Sequence, residues 1–155
     1  LAIIVTAQDQ DIRPDTGLVR NGKQRPGMIK LKDLLVERID YLDTAEQLVK
    51  KYKLKSKVKF VSSNNHGDYD WESDEIHLES SFSTTAEFYL TVLHEIHHAL
   101  QVKKYGVTAF MKKYNQASNI AAHHGLDPYN NNKWEKKAEN WAKEQYNRYF
   151  KRGGK

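Results

Sequence analysis

His94-Glu95-Ile96-His97-His98 brings two imidazoles four residues apart, with a carboxylate directly after the first. On an α-helix, positions i and i+4 lie one above the other, so His94 and His98 can grip a single metal ion. Glu95 then sits about 100° further round, placed to take a proton from a metal-bound water without being a ligand. The chemistry this suggests is hydrolysis by a metal-activated water.

The flanking residues argue that such a helix exists. Thr84 followed by Glu87 is a capping-box pattern and predicts the helix start, and Gly106 after Tyr105 predicts its end. Phe88, Val92, Leu93, Ile96, Ala99 and Leu100 recur at helical spacing and predict a buried stripe beside the His94/His98 face. Histidines next to such a stripe need partners, because an unpaired buried polar group costs a few kcal/mol.

A catalytic zinc keeps three protein ligands and one open position. Candidates for the third lie downstream in the segment 132–142, which predicts a second helix. Trp134, Ala138, Trp141 and Gln145 fall on one stripe, and Glu135, Glu139, Ala142 and Tyr146 on its neighbour. One of Glu135 and Glu139 can bind the metal while the other accepts the second N–H of a ligand histidine.

These two helices together resemble the gluzincin pattern of HExxH metallopeptidases. They are also similar to the minimal zincin domains of SprT-like and ImmA/IrrE-like proteins and to small phage-encoded metallopeptidases. The matching residues are His94, Glu95, His98, Glu135, Ala138, Glu139, Trp141 and Ala142, within a resemblance that spans residues 58–150. The resemblance implies Zn²⁺ held by His94, His98 and Glu135, with Glu139 orienting a histidine and Glu95 as general base. It implies an oxyanion stabiliser opposite the metal as well, for which His123, His124 and Tyr129 are candidates just upstream of Glu135. Positions 101 and 104 are Gln and Lys, which argues against the longer metzincin motif.

Other elements must position these residues. Lys57–Val61 and Asp74–Leu78 alternate and predict strands, and Tyr69–Trp71 suggests another between them. The fold class expected is α+β: a minimal zincin domain with a small antiparallel sheet packed on the HExxH helix, plus further helices. In such folds an edge strand borders the cleft and can hold an extended peptide, and Ile76-His77-Leu78 is the expected platform, with His77 solvated. Residues 32–52 predict a helix with a break and restart at Thr44, where Gln47 follows at capping-box spacing. A further helix is expected over Val107–His124, with Val107, Phe110, Met111, Tyr114 and Ala117 or Ser118 toward the core.

The chain of 155 residues suits one compact domain. Residues 1–30, punctuated by Pro14, Gly17, Gly22, Pro26 and Gly27, read as an extended arm, and 31–155 as the zincin-like domain. No apolar run approaches the ~20 residues of a membrane span. The opening Leu1–Val5 is too short for a signal-peptide core, and the absent initiating Met fits a trimmed chain or a piece of a longer one. With no Cys the chain has neither disulfides nor thiolate ligands, which suits a cytoplasmic or virion-associated protein. A net charge of +5, with alternating Lys51, Lys53, Lys55, Lys57 and Lys59, permits nucleic-acid contact. No sequence-reading motif accompanies it, so nucleic acid is not the favoured partner.

The function expected is therefore zinc-dependent hydrolysis of a peptide bond, with a peptide or protein as substrate. A non-enzymatic alternative is a structural or assembly protein, for example a virion or complex component, that retains the metal as a staple and docks a protein partner through its arm. A fourth protein ligand such as His97 or His123 would mark the staple. The intact Glu95 favours the hydrolase.

Overall fold

A computed structural model describes residues 39–62 and 66–151. The arm expected at 1–30, the start of the helix expected from Lys32, residues 63–65 and the basic terminus from Arg152 lie outside the described residues. The described part is mixed α+β, with four α-helices and a three-stranded sheet. In chain order these are α1 (Tyr41–Lys51), β1 (Lys57–Phe60), β2 (Gly67–Asp70), β3 (Glu75–Leu78), α2 (Thr85–Tyr105), α3 (Val107–His123) and α4 (Lys133–Tyr146). A short π-helical turn, Asn147–Lys151, closes the described chain. Among the described residues, no helix is long and apolar enough to cross a membrane.

The motif helix α2 lies at the centre and packs against α1, α3, α4, β2 and β3. Its start is as the sequence predicts. The Thr84 side chain accepts from Glu87 N at 3.1 Å, and the Glu87 carboxylate reaches back to accept from Ser83 N. Gly106 ends the helix at φ 78°, a left-handed value that glycine adopts without strain. Phe88, Val92, Leu93, Ile96 and Ala99 are buried as expected, and Leu100 is half-buried.

Three local expectations change. α1 starts at Tyr41 with no break at Thr44, because Asp40 serves as the N-cap and accepts from Asp43 N. Val107 is exposed, since the turn at Gly106 aims α3 so that Phe110, Ala117 and Ala121 face the core instead. The alternating lysines do not form one extended stripe: Lys51 lies in α1, Lys53 is in the turn after it at φ 55°, and only Lys57 and Lys59 share a strand.

The sheet is mixed rather than antiparallel. Its order is β1-β3-β2, with β1 parallel and β2 antiparallel to β3. Burial explains the arrangement. Ile76 and Leu78 of β3 are fully buried, and flanking β3 on both sides sets Val58, Ile76 and Tyr69 in one inward-facing row. The tight connection Trp71–Asp74 makes β2 and β3 a hairpin, and β1 takes the other side of β3. Consequently Ile76-His77-Leu78 is the central strand and cannot be the edge platform. β1 and β2 are the two edges, and β2 is the one packed on α2.

The second site helix is anchored by a residue the sequence did not flag. Asn132 is fully buried; its Oδ1 caps α4 at Trp134 N, while Nδ2 donates to Tyr114 O and Ser118 Oγ of α3. Asn132→Ala removes the cap and strands two acceptors, and should cost about 2 kcal/mol in urea unfolding. A loss below about 0.5 kcal/mol would mean that this clamp does not hold α4.

Candidate metal centre and cleft

Helical spacing on α2 and the placement of α4 converge at one point. His94 Nε2 lies 3.0 Å from His98 Nε2 and 3.0 Å from Glu135 Oε2, and His98 Nε2 is 3.3 Å from the same oxygen. These three residues form a group able to hold a metal ion. Donors around a tetrahedral zinc with bonds of about 2.0–2.1 Å lie about 3.3 Å apart, so the triangle fits. Two imidazoles and one carboxylate are also a donor set that zinc takes.

The partners of these three residues suit the same use. His98 Nδ1 faces Gln101 Oε1 at 3.1 Å, an acceptor that can hold the ring's hydrogen on Nδ1 and leave Nε2 for a metal. The Tyr114 hydroxyl donates to Glu135 Oε1 at 2.6 Å. Burial alone would raise the Glu135 carboxyl, but the His94 and His98 rings and the Tyr114 hydroxyl hold it well below the usual carboxylate range. Glu135 is therefore an anion in the protein interior, where charge is costly unless opposed.

Glu95 is 6 % exposed and borders the cleft beside the triangle. Burial pushes its carboxyl up to about 7, opposed by His94 and reinforced by Glu135 and Asp68. The strand that reaches it requires a glycine. A Cβ on Gly67 would lie 2.6 Å from Thr91 Cγ2 and 3.4 Å from Glu95 Cγ. Gly67→Ala should therefore push β2 off α2 and cost about 1–3 kcal/mol in chemical denaturation. Adding Thr91→Ser, which deletes Cγ2, should restore most of that loss; absence of rescue would place the strain elsewhere.

The cleft follows the β2 edge across α2. One part is lined by His66, Gly67, Thr91, Glu95, Glu139 and Lys143, and the adjoining part by Asp68, Trp71, His77, Glu95, Tyr114 and Glu135. Tyr129 borders both parts. His77 thus reaches the cleft, half-buried and beside Asp68 and Glu75, rather than standing free in solvent. Glu79 N donates to His66 O on the β3 side, so alternation turns the N–H and C=O groups of Gly67 and Tyr69 away from β3.

The remaining expected residues separate. Glu139 lies one turn beyond Glu135 on the cleft wall, but it is exposed and its carboxylate pairs with Lys143. The residue that meets His98 Nδ1 is Gln101, at an i+3 spacing that allows the contact. Of the oxyanion candidates, Tyr129 faces the cleft. Partial desolvation of its hydroxyl in the cleft, then the charges of Glu135 and Glu95, push its phenol up and keep it protonated. His123 and His124 line a separate hollow on α3 with Lys112, Asn119 and Ile120. His97 is outside the triangle and packs its ring 5.0 Å from Trp141 of α4, and burial drives its imidazole down to about 4.

Comparisons with protein-family models, with curated proteins and with solved structures found no match to this chain.

Proposed function

We propose that this protein is a zinc-dependent peptide hydrolase of the minimal gluzincin kind. The observation that carries the reading is the His94/His98/Glu135 triangle with a buried, cleft-facing Glu95 beside it. Zinc at the triangle would act as a Lewis acid and make a water nucleophilic near neutral pH. Glu95, buried beside the triangle, would accept a proton from the attacking water on its carboxylate and return it to the leaving amine. Tyr129, with its phenol protonated and bordering the cleft, is placed to donate to the developing oxyanion. The outward backbone groups of Gly67 and Tyr69 can pair with an extended peptide laid along β2.

The staple alternative calls for a fourth protein donor. Among the described residues the group comprises His94, His98 and Glu135, while His97 packs on Trp141 and His123 lines a separate hollow. This supports the hydrolase reading. The direct test is incubation of zinc-loaded protein with unfolded casein. Cleavage that stops with chelator and returns with zinc supports the proposal, and stoichiometric zinc closed to water would refute it.

A further inference from the structure

The two oxygens of Glu135 have different surroundings. Oε2 completes the triangle, at 3.0 Å from His94 Nε2 and 3.3 Å from His98 Nε2. Oε1 points the other way and accepts the Tyr114 hydroxyl hydrogen at 2.6 Å. We infer that Tyr114 is a positioning residue that occupies Oε1, holds Glu135 to one-oxygen ligation through Oε2, and so keeps a coordination place free for water. The inference rests on the zinc reading of the same site.

The chemistry demands such a device. A carboxylate next to a cation can bind through one oxygen or both. If both bind, the second occupies the position a hydrolytic site must leave open. A neutral phenol donating to a carboxylate oxygen forms a short, charge-assisted hydrogen bond that competes for that oxygen. Phenylalanine would fill the same space without competing.

The structure also holds the phenol in place. The Tyr114 ring packs 5.8 Å from Trp71 and 5.9 Å from Phe110, centroid to centroid. Its carbonyl accepts from Asn132 Nδ2, and Asn132 is the N-cap of the helix that carries Glu135 in its first turn. One asparagine therefore sets both ends of the Tyr114–Glu135 hydrogen bond. Trp134 Nε1 donates to Lys113 O and adds a second tie between the same two helices. Tyr129 is held by its backbone instead: its N–H donates to Asp127 Oδ1 and its carbonyl accepts from Asn132 N, while the residue is 56 % exposed.

The test is Tyr114→Phe in the full chain, with two readouts besides turnover. Zinc affinity, measured by competition with a chromogenic chelator, should fall by about 10–100-fold. The visible spectrum at saturating Co²⁺ should weaken as the second Glu135 oxygen joins and the site leaves tetrahedral geometry. Because that spectrum is taken with every site filled, a mere loss of stability does not account for it. In Tyr114→Phe/Glu135→Ala, affinity should be no worse than in Glu135→Ala alone, since the tyrosine acts through the carboxylate. An unchanged cobalt spectrum with affinity within about twofold would overturn the role of Tyr114 while leaving the zinc site standing. Failure of the unaltered protein to take either metal would overturn both.

Discussion

Glu95→Gln should reduce peptide hydrolysis by about 10²–10⁴-fold, the usual worth of a positioned general base, while zinc content stays at the wild-type level. The amide keeps the shape of the side chain and cannot accept the proton. Glu95 is not among the triangle's donors, so the metal has no reason to leave. Stability supplies a second, independent sign. Burial pushes the Glu95 carboxyl up to about 7, above its ordinary 4.5, so the folded state disfavours the charged form. Such a group stabilises fully only below its unfolded value, and that contribution is lost as pH rises through about 7. A neutral amide does not carry this penalty. The metal-free variant should thus melt no lower than wild type at pH 8, although it is inactive. Retained turnover would remove Glu95 from the mechanism. A large drop in melting temperature would show instead that the carboxylate holds the fold.

The motif helix was legible because its signals are local. The Thr84/Glu87 cap, the apolar period and Gly106 all act within a few turns, and α2 has the ends they predict. The third member of the triangle was legible up to an ambiguity: helical spacing puts Glu135 and Glu139 on one side, and only the approach of α4 to α2 buries the first and leaves the second beside Lys143. Strand order was not legible. Alternation in Lys57–Phe60 and Glu75–Leu78 says which side chains point inward, but either strand direction satisfies it. Tyr114 escaped notice for a related reason. Its spacing with Phe110 and Ala117 reads as core, and its ring does pack there, while its hydroxyl serves Glu135. Gln101 and Asn132 look like ordinary polar residues until their burial is known.

The second large effect concerns the metal itself. Unaltered protein should retain about one zinc per chain, and Glu135→Ala should lose it on dialysis, because two imidazoles alone make an incomplete site. The expectation follows from the donor set. Glu135 is buried with Oε2 against His94 and His98, and Gln101 is placed to accept the hydrogen of His98 Nδ1 and leave Nε2 for a metal. Two imidazole nitrogens and a carboxylate oxygen at 3.0–3.3 Å from one another have the spacing that a zinc takes. Binding should therefore stabilise the folded state. At free zinc 100-fold above Kd, linkage gives about 2.7 kcal/mol, or a rise of about 10 °C in melting temperature for a domain of this size. Glu135→Ala should show almost none of that rise. Glu139→Ala, which removes a carboxylate paired to Lys143 outside the triangle, should keep most of it. If instead zinc stabilises Glu135→Ala fully and Glu139→Ala not at all, the ligand is Glu139 and α4 must turn to bring it in. Comparing the two variants decides between carboxylates that spacing alone leaves equivalent.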